Sequence, residues 1–405
     1  MTCTYEITPT TQDITTLAET WSCPHETHSD TEYCPVHMPP ALREETGITN
    51  EDITSFVNTY VKADDSDLRK FIGGDIPVVN LDYADIEAAD QHPIDFRHAT
   101  IRNGVSVRQA RFEEHIDFRD AKINGFDASN SNFENGILCT RAEFTGPVTF
   151  FEVIGTGDDV DFSNAIFRSE VTFDEADFNE DVSFDNAVFE GPATFMGTGF
   201  YGQANSLGDN TSFDNATFES ETSFFHSDFE STSFQNVVFE AAVSFEKATA
   251  DGSMLFNNAK FDSEAKFKEI RFEEDTSFTD AVFGSETHFD GASFNGGAAL
   301  LDDDVSFQGV SFAEEVAFTK ASFRYANFTG VSFDAAVDFE RSTFDDDAIF
   351  KHSKFNDVAD FDEVTFSGDA EFSNAIFYAD AVFRGSEFKG GTDYHKADGI
   401  FTDAV

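Results

Sequence analysis

The chain has 405 residues, and 78 Asp and Glu against 25 Lys and Arg leave it a formal charge of −53. That balance excludes a basic stripe able to neutralise nucleic-acid phosphates, and no run approaches the roughly 20 apolar residues that a membrane-spanning helix needs. With 51 Phe it is equally unlike an acidic disordered tail, so the acid belongs outside and the aromatic rings inside.

The first residues, MTCTYEITPT, lack a basic stretch followed by an apolar one, so a soluble cytoplasmic protein is expected. Acidity with few lysines is the composition of proteins that stay hydrated in molar salt, where repulsion is screened within about 3 Å. An extreme halophile is the expected source.

Residues 1–45 carry the one chemical signal. Cys3, Cys23 and Cys34 are accompanied by His25, His28 and His37, in the strings Cys23-Pro24-His25 and Cys34-Pro35-Val36-His37. Thiolate and imidazole at that spacing suit a tetrahedral zinc knuckle, and a segment with so little core needs a metal to fold. The expected ligands are Cys3, Cys23, Cys34 and His37, with His25 as a substitute for Cys3. A closed set of four is structural, with no open position for catalysis. An odd trio of cysteines also argues against a self-contained disulfide framework.

Residues 46–75 read as a helical cap. Ile53, Phe56, Val57, Tyr60 and Val61 fall at helical spacing, with Thr49 or Asn50 as N-cap and Glu51 and Asp52 in the first turn. A second short helix is expected near 66–72, stopped by Gly73-Gly74.

Residues 76–394 form one array. From Phe162 the rungs run Phe167, Phe173, Phe178, Phe184, Phe189, with steps alternating between five and six residues; of 40 rungs between Phe162 and Phe388, 39 are Phe and the other is Ala250. A small residue precedes each rung by two positions, as Ala165 precedes Phe167 and Val171 precedes Phe173, so a large and a small side chain face inward together. Lapses to five residues, as from Phe224 through Phe229 and Phe234 to Phe239, show that the sixth residue is dispensable. Asn80-Leu81-Asp82 and Ile94-Asp95-Phe96 show the unit undecorated.

This pattern resembles the pentapeptide-repeat family, in a Phe-rich variant of haloarchaeal type with alternating five- and six-residue steps. The resemblance implies an all-β solenoid, a right-handed quadrilateral parallel β-helix with one repeat per face, here of about 14 coils for about 56 rungs. Three longer gaps, at 151–161, 201–212 and 295–306, end in similar Gly/Asp-rich strings and fall in phase if there are four faces. Residues 395–405 are expected to close the far end, with Tyr394, Ile400 and Phe401 folded over the last rungs. Cys139 reads as a small packing residue.

No catalytic constellation stands out, so an enzyme is not expected: His92, His98, His115, His226, His288, His352 and His395 are dispersed, and no phosphate-binding loop or nucleophile elbow is present. The residues read as a noncatalytic acidic scaffold or protein-interaction module with an unidentified protein partner, and neither direct nucleic-acid nor membrane binding. The resemblance alone implies an alternative, since some members of the family inhibit DNA gyrase by presenting a rod of duplex-like width and charge. That alternative is a DNA-mimicking inhibitor or modulator of gyrase or topoisomerase, and it carries a homodimer with it.

Overall fold

The computed structural model describes residues 1–8, 20–89, 93–155, 160–202, 211–296 and 305–402, in two compact units, Met1–Gly191 and Pro192–Val405. Each is built the same way: strands of mostly two residues, each paired in parallel with the strand one coil later, on four successive faces. In the first unit the fourth face runs Ile94, Ile116, Ile137, Val160, Val182 in register. In the second it runs from Thr211–Ser212 to Thr392–Asp393. Both third and fourth faces carry five strands in the first unit and nine in the second, fourteen in all among the described residues, which matches the expected coil number.

The five/six alternation is a property of the corners. After the second and fourth faces the chain makes a tight turn, as in Phe162-Ser163-Asn164-Ala165, where the Ala165 N–H donates to the Phe162 carbonyl at 3.0 Å and Asn164 has φ 59°. A positive φ at the third position defines a type II turn, and the site recurs as Glu175, Asn186, His226, Lys247 and Asn258. These corners always take the five-residue step. The sixth residue sits at the other corners, after the first and third faces, where Phe167 to Phe173 takes six residues and Phe229 to Phe234 takes five.

Two kinds of aromatic contact fill the interior. First-face rings stack in their own column, Phe144 on Phe167 at 5.0 Å and Phe167 on Phe189 at 4.8 Å. Rings of the second and fourth faces meet edge to face across the axis, Phe162 against Phe173 at 5.5 Å and 78°, while each also stacks on its own kind, Phe162 on Phe184 at 5.2 Å. Both are favoured ring geometries, and each pair adds about 0.5–1.5 kcal/mol beyond area burial.

Each of the three gaps follows a third-face strand and leads to a fourth-face strand, but the first is shorter than its Phe spacing implies. Ile154–Gly155 is a third-face strand paired with Asn132–Phe133 and Asp177–Phe178. A glycine occupies that rung: a Cβ there would lie 3.1 Å from the Phe178 ring, so the ladder skips a residue without losing a coil. The remaining insertions, 156–159, 203–210 and 297–304, lie outside the described residues.

The helix Asn50–Tyr60 forms as expected, with a reciprocal capping box in which Thr49 accepts from the Asp52 N–H and Asp52 accepts from that of Thr49. Ile53 and Val57 are its buried face. A further helix, Pro40–Thr46, was not expected; it is short, with proline at its start and Gly47 in the left-handed region at its end. The expected second helix is only a 3-10 turn, Ser66–Arg69, because the Phe71 N–H donates to the Asp95 carbonyl at 2.7 Å and draws the chain into the ladder. Phe71 then stacks on Phe96 at 5.1 Å, covering the first coil with a ring of its own kind.

At the carboxyl end the coil continues where a tail was expected. Thr392–Asp393 pairs with Ala370–Glu371, Tyr394 stacks on Phe372 at 5.4 Å, and Asp398–Thr402 pairs with Ile376–Val382. Tyr394 is therefore a rung, and the backbone at Ile400 and Phe401 is paired strand.

Candidate metal centre

The metal-ligand candidates are gathered by short-range structure at the amino end. Glu6–Ile7 pairs antiparallel with Trp21–Ser22, and the Cys3 N–H donates to the His25 carbonyl at 2.8 Å, which brings Cys3 beside Cys23. The Cys34-Pro35-Val36-His37 string closes on itself, the His37 N–H donating to the Cys34 carbonyl at 3.1 Å, so that both side chains project to one side. The Asp75 N–H donates to the Val36 carbonyl at 2.9 Å, and Arg43 holds the Asp75 carboxylate at 3.0 Å, tying this turn to the first strand of the solenoid.

Cys3, Cys23, Cys34 and His37 come together, their ligand atoms all within 4.8 Å of one another, and the four could hold a metal ion. The Cys23 and Cys34 sulfurs are 3.7 Å apart, against about 3.8 Å for the edge of a tetrahedron with metal–sulfur bonds of about 2.3 Å. His37 Nδ1 lies 3.1 Å from the Cys34 sulfur and 4.0 Å from that of Cys3. All four residues are buried. With protons in place of an ion, hydrogen bonds from the thiols of Cys23 and Cys34 hold Cys3 far below the ordinary thiol range. The same bonds push Cys23 up to about 12 and Cys34 higher. Three buried sulfurs that compete for protons in a closed pocket form an arrangement that a divalent cation, by displacing those protons, relaxes.

The surroundings fix which nitrogen of His37 faces the sulfurs. Its Nε2 is 2.9 Å from the Ile72 carbonyl oxygen, which can only accept, so Nε2 carries the proton and Nδ1 the lone pair. Tyr5 lies flat on the His37 ring at 4.0 Å. Its hydroxyl end reaches Gly73, where a Cβ would come within 2.3 Å of it and where φ is +70°, so only glycine fits. His25, the substitute ligand, is fully buried just outside the four, with Nδ1 3.4 Å from the Cys23 sulfur and Nε2 2.9 Å from the Leu68 carbonyl oxygen. Nothing in the pattern of side chains announces the Leu68 and Ile72 carbonyls.

The remaining polar candidates do not assemble. Cys139 fills a fourth-face rung, and burial pushes its thiol well up, leaving it inert. His98, His226 and His352 occupy left-handed corners, and His288 sits between Glu264 and Asp290 at 3.4 and 3.6 Å. His92 lies outside the described residues. No helix among the described residues is long and apolar enough to cross a membrane.

Residues 157–205, 206–249, 256–302, 299–343 and 350–397 match the family described as pentapeptide repeats (9 copies), more than half the chain. The chain belongs to the pentapeptide-repeat family. A solved structure of another pentapeptide-repeat protein, HetL, involved in heterocyst differentiation regulation in the cyanobacterium Nostoc sp. strain PCC 7120, aligns at 12% identity over 70% of this chain and 88% of its own. The TM-score of that alignment is 0.16. Comparison with curated proteins finds no match. The five family matches cover only the array; the Cys/His segment and the helical cap of this pentapeptide-repeat protein lie outside them.

Proposed function

We propose that this pentapeptide-repeat protein is a noncatalytic acidic scaffold of a halophile's cytoplasm, presenting its outward rows to a protein partner, with residues 1–45 clamped by a structural zinc ion. The observation that carries the scaffold reading is the filled interior: every Phe rung from Phe213 to Phe383 is buried, so chemistry is left to the outward positions. The concavities there are open. One on the second face of the second unit, of about 310 Å³, is lined by residues that include Glu286, Thr287, Glu315, Ala317 and Asp338. That suits a surface of another protein better than an enclosed substrate.

Zinc is favoured for the four-donor site by its thiolate and imidazole ligands and the tetrahedral spacing. Free buried cysteines fit a reducing compartment. The DNA-mimic alternative gains no specific support. In the first unit arginines interrupt the acidic rows: Arg97 lies between Asp95 and Asp117, and Arg111 reaches Asp85, Glu113 and Glu134.

Affinity capture from the native host in molar salt, with metal measured in the same sample, tests the proposal. A partner whose retention needs the inserted loops or residues 1–45, and about one equivalent of zinc, are expected. Capture indifferent to both regions overturns the scaffold reading, and absence of zinc overturns the clamp. Inhibition of gyrase supercoiling at the enzyme's working salt would instead favour the mimic.

A further inference from the structure

The concavity on the second face of the second unit is built from four coils whose strands pair in register, Thr287 with Val316, Val316 with Val337 and Val337 with Ala359. Two outward columns run along it, one just before each strand and one at each strand's second position. The first column reads Glu286, Glu315, Ala336, Val358, and the second reads His288, Ala317, Asp338, Asp360. Each coil therefore carries one carboxylate, and from the second coil onward the other column supplies Ala317, Ala336 or Val358. Val358 is 39% exposed, so the groove offers apolar surface beside its charges.

Those carboxylates have no cation of their own: among the described residues no Lys or Arg forms an ion pair with Glu286, Glu315, Asp338 or Asp360. In the coil before, Lys266 and Lys268 lie against Glu264 at 3.1 Å and Asp290 at 3.5 Å, and His288 lies between the same two carboxylates. On the neighbouring corner, by contrast, Arg341 and Arg384 hold Glu363 and Asp362. Burial and the carboxylates of Asp362, Asp338 and Glu340 raise the Asp360 carboxyl above its ordinary range, as an uncompensated row requires.

Successive coils rise by about 4.8 Å, so the four carboxylates span about 14 Å. An α-helix advances about 5.4 Å per turn, and basic residues at i, i+3, i+7 and i+10 span about 15 Å, one for each carboxylate. An extended strand presents same-side residues only every ~6.7 Å and is out of step by the third. Lys and Arg have an apolar stem and a charged head, which suit Ala317, Ala336 and Val358 beneath and a carboxylate beside them. In molar salt, where only contact pairs escape screening, the apolar share keeps the association.

We propose that this groove docks a basic amphipathic helix of a partner protein, with one Lys or Arg per turn set against Glu286, Glu315, Asp338 and Asp360. The proposal rests on the scaffold reading above and gives the partner a place and a chemistry. Charge complementarity selects a cationic occupant, and the coil rise selects a helical one.

The test titrates the full chain with an alanine-based helical peptide of about 16 residues bearing Lys at i, i+3, i+7 and i+10, in the lowest KCl that keeps the far-ultraviolet spectrum folded. Glu286→Gln/Glu315→Gln/Asp338→Asn is expected to weaken binding at least about tenfold. Asp251→Asn/Glu274→Gln/Asp345→Asn, which removes the same charge beside the third face, changes it less than about twofold. Equal weakening by both triple variants overturns the groove, and so does equal binding of a peptide with the same Lys residues in scrambled spacing. Spermine binding as tightly as the peptide overturns it as well. A reversal guards against loss by misfolding: Glu315→Lys is expected to bind a peptide with Glu at i+3 or i+7, according to helix direction, more tightly than the parent peptide, and absence of that reversal overturns the register. The groove can fail on these results while the scaffold reading stands, whereas failure of capture from the native host overturns the scaffold reading and the groove with it.

Discussion

The Nε2 of His37 donates to the carbonyl of Ile72 at 2.9 Å, and Ile72 follows the ring, Phe71, that closes the first coil. A candidate metal ligand is thus bonded to the backbone where the repeat array begins, so the order of the centre and the order of the array's end are one physical quantity. Arg43 strengthens the link by holding both the carboxylate and the carbonyl of Asp75, at 3.0 and 2.8 Å.

Metal removal should therefore loosen the cap. With free zinc about a thousandfold above its dissociation constant, binding contributes about 4 kcal/mol. A strong chelator is expected to lower the melting temperature and to accelerate hydrogen exchange at the Phe71 amide, which donates to Asp95. Exchange at the Phe328 amide, deep in the second unit, should stay slow; equal acceleration at both sites would show that the centre acts globally.

Phe278 stacks on Phe256 at 4.8 Å and on Phe307 at 5.0 Å and meets Phe267 and Phe289 edge-on. Phe278→Ala should cost about 3–5 kcal/mol. The neighbouring rungs hold the coils in place, so the solenoid survives. Denaturant titration with far-ultraviolet dichroism checks both statements: the midpoint falls and the folded spectrum is retained.

The left-handed corner at Asn164 makes a conformational prediction. Asn164→Val should lower stability by about 1–2 kcal/mol, because a β-branched residue is strained at φ 59°, whereas Asn164→Gly should stay within about 0.5 kcal/mol. Equal losses from both would point to a side-chain contact of Asn164 in place of backbone strain.

Glu143 supplies a pH dependence. Hydrogen bonds from Lys122 at 2.8 Å and Arg168 at 2.6 Å hold its carboxyl below the ordinary range. A depressed carboxyl contributes stability that is present above its unfolded value, near pH 4.5, and lost as pH falls through the lower folded value. The group is partly exposed, so the contribution is under about 1 kcal/mol and is screened by salt. Unfolding of wild type and Glu143→Gln should differ above pH 4.5 in low salt and converge in acid and in molar KCl.

Particular residues show where the sequence was legible. The Phe ladder and its small partners were readable because an inward rung tolerates almost no other side chain, and the helix start was readable to within Thr49 or Asn50 because a cap is a local signal, while the reciprocal bonds of Thr49 and Asp52 came from the structure. The rung at Gly155 was not, since a glycine leaves no mark in a ladder recognised by its rings. The helix Pro40–Thr46 was missed because it spans too few turns to show a period, and Tyr394 was mistaken for a lid because ring and lid have the same composition.

Sequence by itself determined the repeat, the outward acid and the set of candidate ligands, because each depends on composition or on spacing along the chain, while the four-sided parallel stacking was implied only by the resemblance to the pentapeptide-repeat family. Tertiary structure decided the rest. That His37 and His25 both turn Nδ1 toward the cysteines depends on the carbonyls of Ile72 and Leu68, each 2.9 Å from an Nε2. Backbone groups are the same at every residue, so only the folded path of the chain distinguishes these two from the others.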